Sequence, residues 1–215
     1  MLSSIRRLPS AWLLLVQLAV LVTAPMLGEN LFSHLISSGL SALALLMVAN
    51  VIRESPIFNT VGLALVVLAI ALSSLATWAG MNQLTPWANI VESAAYFYAA
   101  AGMVLYMLED HFVSADELFA AAAVFTLLAW AFAFLYSACQ FWVPHSFTAA
   151  VNSEAPRTWL ELLFLSFTSL SSTGLGDIVP ISPPARVISS IQMFTGVMYM
   201  ALVVSRLVGM VPRKG

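Results

Sequence analysis

The sequence predicts an all-α membrane protein with six transmembrane helices and a re-entrant helix before the last of them. Three observations carry this expectation. Of the chain's 215 residues, 61% are hydrophobic and only 8% charged, against roughly 25% charged in a soluble domain. Apolar runs close to the ~20 residues that cross a bilayer recur along the chain. One apolar run is too short to cross, and it leads straight into Ser171-Ser172-Thr173-Gly174-Leu175-Gly176-Asp177.

The first run covers residues 10–27. Arg6 and Arg7 precede it as they would in a signal peptide, but Thr23-Ala24-Pro25 is a poor cleavage site, so a retained helix is expected. The second covers residues 35–52 and is ended by Arg53-Glu54-Ser55-Pro56. The third covers about 58–79, and the fourth starts near Trp87 and stops at Glu109-Asp110-His111. The fifth, about 115–142, opens on a capping box of Ser114 and Glu117. Residues 157–170 form the short piece, and the last run covers 183 to about 210, with Pro184 in its first turn, where a missing N–H costs little. A short helix followed by an extended glycine segment reads as a re-entrant loop, because non-helical backbone at membrane depth survives only inside protein or along a water-filled path. The expected division is a four-helix N-terminal transmembrane domain, 1–112, and a second domain, 113–215.

Basic residues set the expected orientation. With both termini in the cytoplasm, the inner side receives Arg6, Arg7, Arg53, Arg206, Arg213 and Lys214, and the outer side only Arg157 and Arg186. The expected location is the cell membrane, with lipid as the surrounding partner. The net charge of −2 argues nothing about nucleic acid, but no basic tract of the kind that binds phosphate backbones is present, so no nucleic-acid partner is expected. The single cysteine, Cys139, excludes an intrachain disulfide and a multi-cysteine metal site, and it reads as a small core residue. No His-paired nucleophile or metal constellation is visible, so no enzyme and no cofactor is expected. Glu109-Asp110 and Asp116-Glu117 read as solvated charge on the inner loop.

Glycine reaches positive φ cheaply, so a Gly-x-Gly segment lets backbone carbonyls point the same way. Aligned carbonyls replace the water shell of a dehydrated cation, which is how a selectivity filter works. From residues 167 to 177, with Pro180 following, the chain resembles the pore loop of potassium channels. Ser172-Thr173-Gly174-Leu175-Gly176-Asp177 fills the places of that family's TVGYGD, and the leucine form is similar to a filter of two-pore-domain potassium channels. The order of four helices, then helix, pore loop and helix, resembles the six-helix channel superfamily. The specific resemblance runs from about 159 to 209. It implies a re-entrant pore helix and selectivity filter, and makes residues 113–215 a pore domain.

One loop cannot enclose an ion and four copies about an axis can, so a homotetramer is expected. Its expected K+ ligands are the carbonyls of Ser172, Thr173, Gly174 and Leu175 and the Ser172 hydroxyl, with Gly176 closing the filter. Asp177 is expected at the outer mouth, where repeated carboxylates concentrate cations. Potassium is the expected permeant ion. Ser172, Thr173 and Leu175 replace the family's Thr, Val and Tyr, and Leu175 lacks the phenol that commonly braces such a filter. Val197, Met200, Val204 and Val208 recur at helical spacing as cavity or gate candidates. Gly196 stands where these channels often carry a hinge, and it equally suits close helix packing.

The third and fourth runs contain no Lys or Arg, so no charged voltage sensor is expected. Glu92 is an intramembrane carboxylate and a possible sensor of protons or ions. Glu154, Arg157 and Glu161 are expected to brace the start of the pore helix. No soluble ligand domain is expected after Pro212. The alternatives are a weakly selective cation channel on the same fold, or a non-conducting membrane subunit or transporter.

Overall fold

A computed structural model describes residues 8–23, 56–109 and 115–209. The expected second span, 35–52, and the expected cap Ser114 lie outside the described residues. The helices are α1 (Pro9–Thr23), α2 (Pro56–Trp78), α3 (Thr85–Glu109), α4 (Ala115–Trp142), α5 (Trp159–Leu170) and α6 (Pro183–Gly209). Two three-residue strands that the sequence did not signal, β1 (Phe147–Ala149) and β2 (Ile178–Pro180), flank α5. Three described helical stretches, Thr85–Leu108, Ala115–Trp142 and Pro183–Arg206, are long and apolar enough to cross a membrane. The protein is an all-α membrane protein in its described part.

Prolines open α1, α2 and α6, at the position whose N–H would have no helical partner anyway. Ser182 precedes Pro183, and its hydroxyl accepts from the Ala185 N–H at 3.3 Å, which caps α6. The chain leaves α2 through Gly80 at φ 64°, a conformation glycine holds without strain.

The central helix is α4, with α1, α3, α5 and α6 packed around it. Ala120, Ala123, Ala129, Ala131, Ala133 and Ala138 on α4 are fully buried, and such small residues let backbones approach closely in a membrane. Aromatic rings fill the α3–α4 seam. Tyr96 stacks on Phe134 at 5.6 Å and meets Trp130 edge-on at 5.5 Å, while Phe97 meets Phe132 at 4.9 Å.

These pairs also fix helix direction. Trp87 lies against Trp142 and Tyr106 against Asp116, so α3 runs antiparallel to α4. Ser73 bonds Glu92, and Gly62 lies beside Tyr98, so α2 runs antiparallel to α3. The start of α1 meets the start of α4 through Ser10 and Asp116. Tyr199 of α6 donates to the Ala121 carbonyl and Ser189 meets Tyr136, so α6 runs antiparallel to α4; α1, α2 and α4 thus run one way, and α3 and α6 the other.

The expectation that Asp116 and Glu117 are solvated is corrected: both are buried. Asp116 accepts from the Ser10 N–H at 3.0 Å and the Ser10 hydroxyl at 2.8 Å, so it satisfies one of the first-turn amides of α1 from another helix. Glu117 pairs with Arg206 of α6 at 2.8 Å. Buried charge survives only with such partners, and these partners come from segments far away in sequence.

Candidate functional site

Helix α5 has 12 residues and is therefore roughly 18 Å long, well short of a hydrocarbon core of about 30 Å. It begins with a full capping box. The Thr158 hydroxyl accepts from the Glu161 N–H at 3.3 Å, and the Glu161 carboxylate accepts from the Thr158 N–H at 2.7 Å. The T-x-x-E spelling of this motif is legible in the sequence. Thr158→Ala should lower stability by about 1 kcal/mol, read as a lower melting temperature of the solubilised protein.

Arg157 is buried just before this helix. Its guanidinium donates to the carbonyls of Asn152 (2.5 Å) and Ala155 and to Glu161 at 3.3 Å. Its backbone N–H and C=O are both held by the Gln140 amide of α4, at 2.8 and 2.9 Å. Glu154 stays exposed, 3.9 Å from His145. Trp159 packs against Trp130 and Phe134 of α4. The entry to α5 is thus fixed at both charge and ring contacts.

At its far end α5 runs into residues 171–177, all exposed in the single chain. The Thr173 and Gly174 N–H groups both donate to the Thr168 carbonyl, at 2.9 and 3.1 Å, and the Ser172 N–H donates to Ser169 at 3.1 Å. Ser171 and Thr173 share a hydroxyl bond of 2.7 Å. Every second residue has positive φ: Ser172 at 58°, Gly174 at 59° and Gly176 at 73°. A strand sends successive carbonyls to opposite sides, whereas alternating the hand of the backbone turns every second peptide back and brings carbonyls to one edge. For Ser172 this conformation is strained, and strain of this kind clusters at functional sites. Among the described residues, no hydrogen bond is donated to the carbonyls of Ser172, Thr173, Gly174 or Leu175.

Beyond the loop, the Asp177 carbonyl accepts from Ala150 at 3.2 Å, and β2 pairs antiparallel with β1, Ala149 opposite Ile178 and Phe147 opposite Pro180. This two-stranded ladder ties the exit of the loop to the segment after α4. Asp177 itself is exposed, and so is Leu175, at 63%.

On α6, Val197, Met200 and Val204 are exposed in the single chain. The side chain of Val208 is outside the described set. Gly196 lies directly against the end of α5. A Cβ there would collide with the Leu170 carbonyl oxygen and stand 2.8 Å from its carbon. Glu92 lies elsewhere, between α2 and α3, where it accepts from the Ser73 hydroxyl at 2.9 Å. The structure therefore hangs Ser172, Thr173 and Gly174 from the end of α5, seats Gly196 against that same end, ties Asp177 to the segment after α4, and leaves Glu92 apart.

Sequence reasoning missed a buried polar cluster behind this helix, formed by Tyr136, Ser166, Ser189 and Gln192. A glutamine within an apolar run was its signal, since polar side chains inside membranes bond across helices.

The architecture is that of a membrane protein in which a short apolar helix leads into an exposed loop. The chain matches an ion channel family over residues 122–212, from within α4 through α5, the loop and α6. This match supports an ion channel. No curated protein and no solved structure matches the chain.

Proposed function

We propose that the protein is a potassium-selective channel whose ion path is built from residues 172–176 of four identical chains. The observation that carries this reading is the alternation of positive φ at Ser172, Gly174 and Gly176, in a loop hung from the carboxyl end of a short helix. Carbonyls gathered on one edge form a cation path only when several copies face each other. The negative end of the α5 dipole beside the loop favours a cation as well.

In this reading the carbonyls of Ser172, Thr173, Gly174 and Leu175, with the Ser172 hydroxyl, bind potassium. Asp177 lines the outer mouth. The exposed face with Val197, Met200 and Val204 lines the inner cavity, continued by Val208. Potassium is the permeant ion, no cofactor is required, and the first four helices carry no voltage-sensing charge. The close contact of Gly196 with Leu170 supports packing at that position.

Six crossings with both termini in the cytoplasm fit the helix directions. Helices α1 and α2 run the same way, and the sequence expectation of a crossing at 35–52, outside the described residues, is compatible with that. The starts of α1 and α4 and the ends of α3 and α6 gather around Asp116 and Glu117. That is the end where the basic residues place the cytoplasm.

Barium-sensitive potassium flux into liposomes holding the purified protein is the expected result. Gly174→Ala should abolish it, because alanine at φ +59° carries a strain of about 1–2 kcal/mol in each chain. Flux unchanged in Gly174→Ala would sink the reading. Leu175 is exposed rather than packed behind the loop, which favours weak selectivity as the second reading. Reversal potentials between potassium and sodium solutions separate the two.

A further inference from the structure

A chain of hydrogen bonds runs behind the loop and joins three helices. Gln192 of α6 is fully buried, and its Nε2 donates to the Ser166 carbonyl at 3.0 Å and the Ser166 hydroxyl at 2.5 Å. Its Oε1 accepts from the Tyr136 hydroxyl of α4. Tyr136 has one hydrogen, so the Ser189 hydroxyl, 2.9 Å away, donates to the Tyr136 oxygen. The Ser166 hydroxyl spends its hydrogen on the Ala129 carbonyl at 2.6 Å. Every proton in the chain is committed in one direction. A flipped Gln192 amide would turn its oxygen onto the Ser166 carbonyl, so the orientation is forced as well.

One turn further along both helices comes the second contact, Gly196 against Leu170. Helices α5 and α6 are thus held in one register, 192 on 166 and 196 on 170. Between those two contacts on α5 lies Thr168, whose carbonyl holds the Thr173 and Gly174 amides.

We propose that Gln192 is a positioning residue for the ion path: through Ser166 and Tyr136 it fixes the turn of α5 from which the Thr173 and Gly174 amides hang. Gln192 touches no ion. It supplies from behind α5 the rigidity that Leu175 cannot supply from the loop. Polar networks of this kind specify one geometry when every member is satisfied. The inference rests on the channel reading above.

The test uses the full-length protein in liposomes and, separately, in detergent. Gln192→Leu removes both arms of the amide. Tyr136→Phe keeps the ring and removes only the hydroxyl, so it serves if Gln192→Leu does not assemble. Both should raise sodium permeability relative to potassium several-fold, Gln192→Leu more than Tyr136→Phe. Both should also shrink the rise in melting temperature that potassium gives over sodium. A role in stability alone lowers melting equally in the two salts and leaves the permeability ratio unchanged, and that result overturns the proposal. Wild-type protein that passes no cation in the same liposomes overturns the channel reading, and this inference with it. Conducting wild type with both variants unchanged overturns this inference alone.

Discussion

Gly196→Ala is expected to destabilise the protein by about 1–3 kcal/mol, the usual cost of overpacking a filled site, and to abolish conduction. Helix propensity alone predicts the opposite sign, since alanine is favoured over glycine in a helix interior by about 1 kcal/mol. Geometry decides between them. The added methyl would meet the Leu170 carbonyl group and Cα, all backbone, which cannot rotate aside. Relief requires α5 and α6 to part, and Leu170 is the last residue of α5 before the loop. Displacement is therefore passed to Ser172 and its neighbours. Gly62→Ala is the control. Its Cβ would meet only the Tyr98 ring, at 3.4 Å, so that variant should keep or gain stability. Melting temperatures of the two solubilised variants, with potassium flux in liposomes, check the contrast. A Gly196→Ala protein as stable as Gly62→Ala would show that the contact between α5 and α6 is soft.

The sequence was most legible where one physical requirement dominates. Bilayer thickness demands long apolar runs, and 115–142 and 183 to about 210 correspond closely to α4 and α6. A run too short to cross, followed by glycines, marked α5 and the loop after it. Less legible was anything that depends on a partner far along the chain. Asp116 and Glu117 look like inner-loop charge until Ser10 and Arg206 are placed beside them. Gln192 looks like an isolated polar residue until Ser166 and Tyr136 close on its two ends. The strands β1 and β2, of three residues each, are too short to show any periodicity. Local signals thus located the described helices and the loop, but not the strands. The side-chain bonds that set helix register depend on three-dimensional proximity, which spacing along one chain does not encode.

Breaking the Glu117–Arg206 pair is the second large effect expected. Side-chain exposure is 8% for Glu117 and 13% for Arg206, and the pair is 2.8 Å apart. Glu117→Ala leaves a mostly buried guanidinium without this carboxylate, which costs about 3–5 kcal/mol at such sites. A surface pair would cost only about 0–1 kcal/mol, so the measurement discriminates sharply between buried and solvated charge at this position. The double variant Glu117→Leu with Arg206→Leu should recover much of the loss, because replacing both charges by packed apolar groups removes the desolvation penalty with the attraction. The functional consequence follows from where the pair sits. Arg206 is in the last turn of α6 and Glu117 in the first turn of α4, so the bridge ties the far end of α6 to the central helix. Cutting it frees that end of α6, while Gln192 and Gly196 still anchor the helix beside the loop. Glu117→Ala should therefore change the fraction of time the path is open and leave the potassium-to-sodium permeability ratio intact. Gln192→Leu should do the reverse. Single-channel recordings of the two variants in one bilayer system would show whether the two ends of α6 act separately, and an altered permeability ratio in Glu117→Ala would show that they do not.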